Sequence, residues 1–161
     1  MSRDKLEDLL GYRPTGIWET RSRFASEALK RIEQGHHFYT YVKNGRLAHI
    51  SWLAENATSN AIPGLEQGFE FPAGSAVLYG SYTDPGSRRN GLLRTAVQQM
   101  LRDVSQAPGI KRVFAAVPVE SKAVCRMISR LGFAPVPEGA KRSGEVTNSK
   151  VASGSPGRAG E

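Results

Sequence analysis

Apolar and polar positions along the chain alternate between helical and strand spacing, and the changes mark out the elements. From Asp4 to Leu10 a short amphipathic turn groups Leu6, Leu9 and Leu10 and is closed by Gly11. A helix follows over about 22–34, with Phe24, Ala28, Leu29 and Ile32 facing inward at the 3.6-residue period and Gly35 as its stop. Spacing then drops to two. Phe38–Val42 and Leu47–Ala54 flank Asn44-Gly45, the residue pair best suited to a two-residue type I′ hairpin. On the second of these strands Leu47, His49, Ser51 and Leu53 share one face, and Ala48, Ile50, Trp52 and Ala54 share the other. A loop rich in Asn, Ser, Gly and Pro over 55–74 leads to an apolar run, Ala76–Thr83, that reads as a buried strand.

From Leu92 the period returns to 3.6 through Leu93, Ala96, Val97, Met100, Leu101 and Val104. Residues 111–117 form the next strand, parallel to 76–83 because a helix intervenes. Ala123, Val124, Met127, Ile128 and Leu131 make a last helical stripe. The remainder, 138–161, holds only Val146 and Val151 as large apolar side chains. Such composition buries too little surface to offset its ordering entropy, and predicts a disordered tail after a domain of residues 1–137.

Composition changes this picture little. The 161 residues, 39% hydrophobic and 23% charged, suit a globular domain, and no apolar run approaches membrane-spanning length. The N-terminus lacks a signal-peptide core, and the lone Cys125 excludes an internal disulfide, so a reducing cytoplasm is the expected location. Cys125 beside an apolar stripe reads as packing rather than a nucleophile. His36-His37 read as exposed or strand-opening residues, and no His, Cys or carboxylate spacing suggests a metal site. The net charge of +7 is informative, because it fits a polyanionic cofactor, and also nucleic acid or an acidic membrane surface.

The chemistry concentrates at the change from strand to helix. Asp84-Pro85-Gly86-Ser87 stops the ladder, Arg88, Arg89 and Arg94 add positive charge, and the helix that follows turns free N–H groups toward whatever precedes it. The natural guest of such a loop is a phosphate or pyrophosphate. This stretch resembles the acyl-CoA-binding loop of the GNAT acyltransferases, whose pattern is Gln/Arg-x-x-Gly-x-Gly/Ala, usually preceded by Val-x-Pro-x-x. Pro85, Arg88 and Gly91 match, and Leu93 replaces the last small residue. A second family pattern, Asn-x-x-Ala-x-x-Leu-Tyr-x-x-x-Gly-Phe, is met at its end by Leu131-Gly132-Phe133. In that register Ser121, Val124, Met127 and Ile128 occupy the Asn, Ala, Leu and Tyr positions.

The resemblance implies an α/β (α+β) fold with a mixed, mostly antiparallel sheet, flanked by helices and containing a parallel pair that splays beyond Thr83. Only Phe133–Val136 remains as a stub of the strands that usually end the family's sheet, so the last strands are expected to be missing. A homodimer or a partner chain would then complete the open edge. The resemblance also implies acetyl-CoA or another acyl-CoA as donor, an amine-bearing acceptor, and no metal. Cofactor-binding residues carried over are Thr83, Arg88, Arg89, Asn90, Gly91, Leu92, Leu93 and Ser121. Ile128 stands where the family often has the tyrosine that protonates the thiolate. Protonation then falls to water or to another residue, and the proton-transfer candidates are His49, whose ordinary pKa of about 6.5 suits a general base, and Tyr82, nearest the loop.

Three readings follow. The first is a GNAT-type N-acyltransferase working by direct transfer in a ternary complex. The second is a non-catalytic GNAT-like regulatory or partner-binding module, suggested by Leu93, Ile128 and the short C-terminus. The third is a nucleic-acid-binding protein, suggested by charge alone and without a recognisable binding motif.

Overall fold

The computed structural model describes residues 1–15, 20–58, 62, 63, 65, 69–118, 120–136 and the backbone of 149–154. The chain divides into two compact units, one of Met1–Leu53 with Ser81–Met100, the other of Ala54–Gly80 with Leu101–Glu161. No helix among the described residues is long and apolar enough to cross a membrane.

The first unit opens with β1 (Ser2–Arg3), a 3-10 turn (Leu6–Gly11) and α1 (Arg21–Glu33). The turn is tighter than the leucine spacing suggested, and its rotation exposes Leu6 and Leu10 while burying Asp8. That carboxylate accepts from Thr40 Oγ1 at 2.6 Å and pairs with Lys5 at 3.4 Å, so a polar contact decides the orientation. Thr20 caps α1 by accepting from Arg23 N–H at 3.1 Å, and Gly35, at φ 80°, ends it. Leu29 is 56% exposed rather than inward. Arg31 takes the inner flank instead and lies 5.1 Å over the Trp52 ring, where its stem covers apolar surface and its charge meets the ring face.

The hairpin forms as expected from β2 (His37–Lys43) and β3 (Arg46–Glu55), with Asn44 at φ 52° and Gly45 at φ 69°. Its register shifts between Tyr41↔His49 and Val42↔Leu47, which leaves Ala48 as an extra residue on β3. The bulge moves Leu47 to the opposite face from His49, against the simple alternation. Every residue from Leu47 to Ala54 is buried, so β3 is covered on both faces.

The strand β4 (Ser75–Thr83) contributes its last three residues to this unit. Asp84, just beyond it, donates its main-chain N–H to Ala48 O at 2.9 Å. The helix α2 (Leu92–Gln106) buries Ala96, Val97 and Met100 here, while Leu92 and Leu93 are half-buried.

In the second unit, the first part of β4 runs parallel to β5 (Arg112–Pro118), from Ser75↔Arg112 to Leu78↔Ala115. Pairing stops at Leu78, five residues before the expected Thr83, because Gly80 at φ 60° turns the backbone out of the ladder. Phe69, Phe71 and Phe114 form an aromatic cluster with centroids 4.8–6.0 Å apart, which ties the end of the long loop to β5. The helix α3 (Lys122–Arg130) leaves Cys125 half-buried and buries Ile128.

The C-terminal expectation needs correction. Strands β6 (Ala134–Pro135) and β7 (Ser149–Gly154) are present, and β7 pairs antiparallel with β5 over six residue pairs from Pro118↔Ser149 to Val113↔Gly154. Composition registers side-chain burial only, whereas a ladder satisfies main-chain groups whatever the side chains. With that edge of β5 taken, the reason for expecting a dimer there lapses. The rest of the expected tail, 138–148 and 155–161, lies outside the described residues.

Candidate active site

Residues of the expected site gather in the first unit at the end of β4. Asp84 organises the turn. Its Oδ1 accepts from Arg46 Nε at 3.0 Å and Nη2 at 2.7 Å, and its Oδ2 accepts from Gly86 N–H at 3.2 Å. Pro85–Ser87 then form a single 3-10 turn. Arg89 at φ 66° and Gly91 at φ 70° place two left-handed residues around Asn90, whose amide donates to Ser87 O at 3.2 Å. Thr95 N–H donates to Gly91 O at 3.0 Å, so α2 begins at Leu92 with its first amides outside the intrahelical pattern. Arg88, Arg89, Asn90 and Gly91 are exposed, and a Cβ at Gly91 would meet nothing within 4 Å.

Beside the turn lies an open depression of about 590 Å³, lined among others by Thr15, Lys43, Arg46, Ala48 and Asp84. Thr15 Oγ1 is 3.0 Å from the Tyr82 hydroxyl. The half-buried Tyr82 ring also meets Tyr12 edge-on at 5.7 Å, and Tyr12 stacks on Phe24 at 3.9 Å. The tyrosine is thus fixed at both its ring and its oxygen.

His49 is fully buried. Its Nδ1 is 2.8 Å from Thr83 Oγ1, its Nε2 is 2.8 Å from Ser51 Oγ, and Ser51 Oγ is 2.7 Å from Ser81 Oγ. Burial lowers its pKa to about 4, since an imidazolium there would be stripped of water. Both ring nitrogens are engaged and neither faces solvent, which is not the geometry of a base meeting its substrate directly. His36, expected at the surface, is also buried, and its pKa is lowered by that burial together with the charges of Arg31 and His37. Next to it His37 opens β2, with Nδ1 2.7 Å from Asp4 Oδ2. Ser121 belongs to the other unit, where it precedes α3 without a side-chain cap bond, its carbonyl accepting from Cys125 N–H at 3.0 Å. Among the described residues no group of three or more His, Cys, Asp or Glu could hold a metal.

Sequence reasoning passed over Ser51, Ser81 and Thr15, because hydroxyls on separate elements carry no spacing signal. The Arg46–Asp84 pair had one partial cue, the Asp-Pro-Gly turn, but nothing pointed to the arginine.

The sequence matches the pattern described as the acetyltransferase (GNAT) family over residues 4–133. The chain belongs to that family. No curated protein matches this GNAT chain in sequence. Solved structures share its fold at low identity. The ribosomal-protein-S18-alanine N-acetyltransferase of Escherichia coli is 17% identical with a TM-score of 0.55, over 89% of this chain and 81% of that one. The ribosomal-protein-alanine N-acetyltransferase of Brucella melitensis is 12% identical with a TM-score of 0.58, over 93% and 89%. A phosphinothricin acetyltransferase of Sinorhizobium meliloti, solved in complex with AcCoA, is 10% identical with a TM-score of 0.59, over 85% and 70%.

The loop fits the pyrophosphate that a GNAT acyl donor would bring. Gly91 leaves open space over the backbone, the arginines beside it are exposed, and α2 presents its N-terminal amides.

Proposed function

We propose that this GNAT chain is an acyl-CoA-dependent N-acyltransferase that moves an acetyl or related acyl group to an amine by direct transfer. The observation that carries the proposal is the loop of Arg88–Leu93: exposed cations, a left-handed glycine with open space above it, and the start of a 15-residue helix. Arg88, Arg89, Asn90, Gly91, Leu92 and Leu93 would hold the pyrophosphate, with Thr83 as a further donor-binding residue. The bound donor supplies an activated acyl carbonyl and a thiolate leaving group. The acceptor enters the depression bordered by Thr15, Arg46 and Asp84, and Tyr82, whose hydroxyl is held by Thr15, is the tyrosine beside that border.

Coenzyme A at one hundred times its dissociation constant should stabilise the fold by about 2.7 kcal/mol, a shift of several degrees. Gly91→Glu should abolish that shift by setting a carboxylate against the phosphates, and Lys30→Ala on the exposed face of α1 should leave it intact. Absence of any shift at millimolar coenzyme A would overturn the proposal.

A second reading rests on Ile128, which is buried and carries no proton, and on Leu93 in the loop. A non-catalytic GNAT module would show the coenzyme A shift but release no free thiol from acetyl-CoA with any amine offered.

A further inference from the structure

We infer that Thr83, His49, Ser51 and Ser81 form a proton relay that connects the acceptor depression with solvent. The inference rests on the acyltransferase reading, in which an amine must lose a proton and a thiolate must gain one in each turnover.

The four groups make an unbroken chain of 2.7–2.8 Å contacts across β3 and β4. At one end Thr83 is half-buried. It precedes Asp84, and His49 follows Ala48, both of which line the depression. At the other end Ser81 is exposed. Between them His49 and Ser51 are sealed from water.

Each link is a hydroxyl or an imidazole nitrogen, and each can both give and take a proton. Both neutral tautomers of His49 leave every member of the chain satisfied, since the hydroxyls turn to match. A plain structural histidine would more often have a carbonyl or a carboxylate as one partner, which would fix the tautomer. The lowered basicity of the ring adds that it passes a proton without storing it as imidazolium.

The N–H bond of the acceptor ammonium breaks and its proton joins Thr83 Oγ1, while the Thr83 proton passes to His49 Nδ1. The Nε2 proton moves to Ser51 Oγ, that of Ser51 to Ser81 Oγ, and that of Ser81 to water. His49 has changed tautomer and carries no charge. Once the C–N bond has formed and the C–S bond has broken, a proton taken up at Ser81 runs the same path inward. Thr83 delivers it to the leaving sulfur, the second amine proton leaves the new amide nitrogen for water in the open depression, and the original tautomer is restored, so one proton is released per turnover. The chain therefore supplies the acid that Ile128 cannot. His49, Ser51 and Ser81 act through Thr83 and are positioning residues; Thr83, next to Asp84 at the border of the depression, is the member that would meet the reactants.

The test combines kinetics and NMR. His49→Gln keeps two hydrogen-bonding ends but cannot move a proton between them, and Ser51→Ala opens the chain behind an intact histidine. With acetyl-CoA and either an alanyl peptide or phosphinothricin as probe acceptor, both variants should lose about 10²-fold in kcat. The KM for acetyl-CoA and the coenzyme A melting shift should stay unchanged, and the curved dependence of wild-type kcat on the D2O fraction should become linear. Equal kcat in wild type and variants overturns the relay, as does a loss matched by loss of coenzyme A binding.

Nitrogen-15 NMR of the ligand-free wild-type chain needs no turnover. It should show His49 neutral and averaged between two tautomers near pH 7, and Ser51→Ala should lock it into one. A single tautomer in wild type overturns the relay even if the chain proves to be an acyltransferase. Absence of coenzyme A binding with an averaged tautomer instead overturns the acyltransferase reading and leaves the chain of contacts standing.

Discussion

Acidification should destabilise this protein through His49, and the size of the effect follows from its burial. The ring is enclosed and neutral in the fold, with its pKa lowered from 6.5 to about 4 by desolvation. In the unfolded chain it titrates near the ordinary value, so between the two pKa values the unfolded state binds the proton that the folded state refuses. The stabilising contribution is present above pH 6.5 and is lost as the pH falls through about 4. At about 1.36 kcal/mol per unit the full loss is about 3.4 kcal/mol, of which about 2 kcal/mol is gone by pH 5. For a chain of this length that intermediate loss corresponds to a fall in Tm of about 4–8 °C.

The assay compares melting of wild type and His49→Gln at pH 7.5 and pH 5. Glutamine can bridge the same hydroxyls without titrating, so any fixed packing cost cancels in the pH difference. His36, whose pKa is lowered as well, works in the same direction in both proteins and cancels too. The variant should lose about 2 kcal/mol less than wild type on acidification. Equal losses in both proteins would refute the reasoning, because His49 would then titrate alike in the folded and unfolded chains.

Two further outcomes test the fold. Gly45→Ala meets open space and suffers only from its φ of 69°, so it should cost about 1–2 kcal/mol. Gly74→Ala should cost more, because its Cβ would stand 2.6 Å from the Gly109 carbonyl oxygen at a φ of 77°; chemical denaturation of both variants checks the order. Removing residues 149–161 strips β7 from β5 and should lower the melting temperature, and an unchanged transition would count against the pairing.

Local physics was legible in the sequence. Asn44-Gly45 specified the hairpin because both residues tolerate the positive φ that a type I′ turn requires. The stripe Ala96, Val97, Met100 and Val104 specified the buried face of α2, and the basic loop before it gave the family through Arg88 and Gly91. What the sequence could not decide depended on partners distant along the chain. Asp8 turned inward because Thr40 Oγ1 donates a hydrogen bond to it there, at the expense of Leu6 and Leu10. Arg31 displaced Leu29 because Trp52 offered its ring. The tail gained β7 through main-chain pairing, which composition does not register. His49 could be found as a histidine on a strand, but its burial and its hydroxyl partners came only with the fold. Periodicity records which side chains avoid water, whereas a hydrogen bond between elements depends on where each strand stops and in which register it pairs.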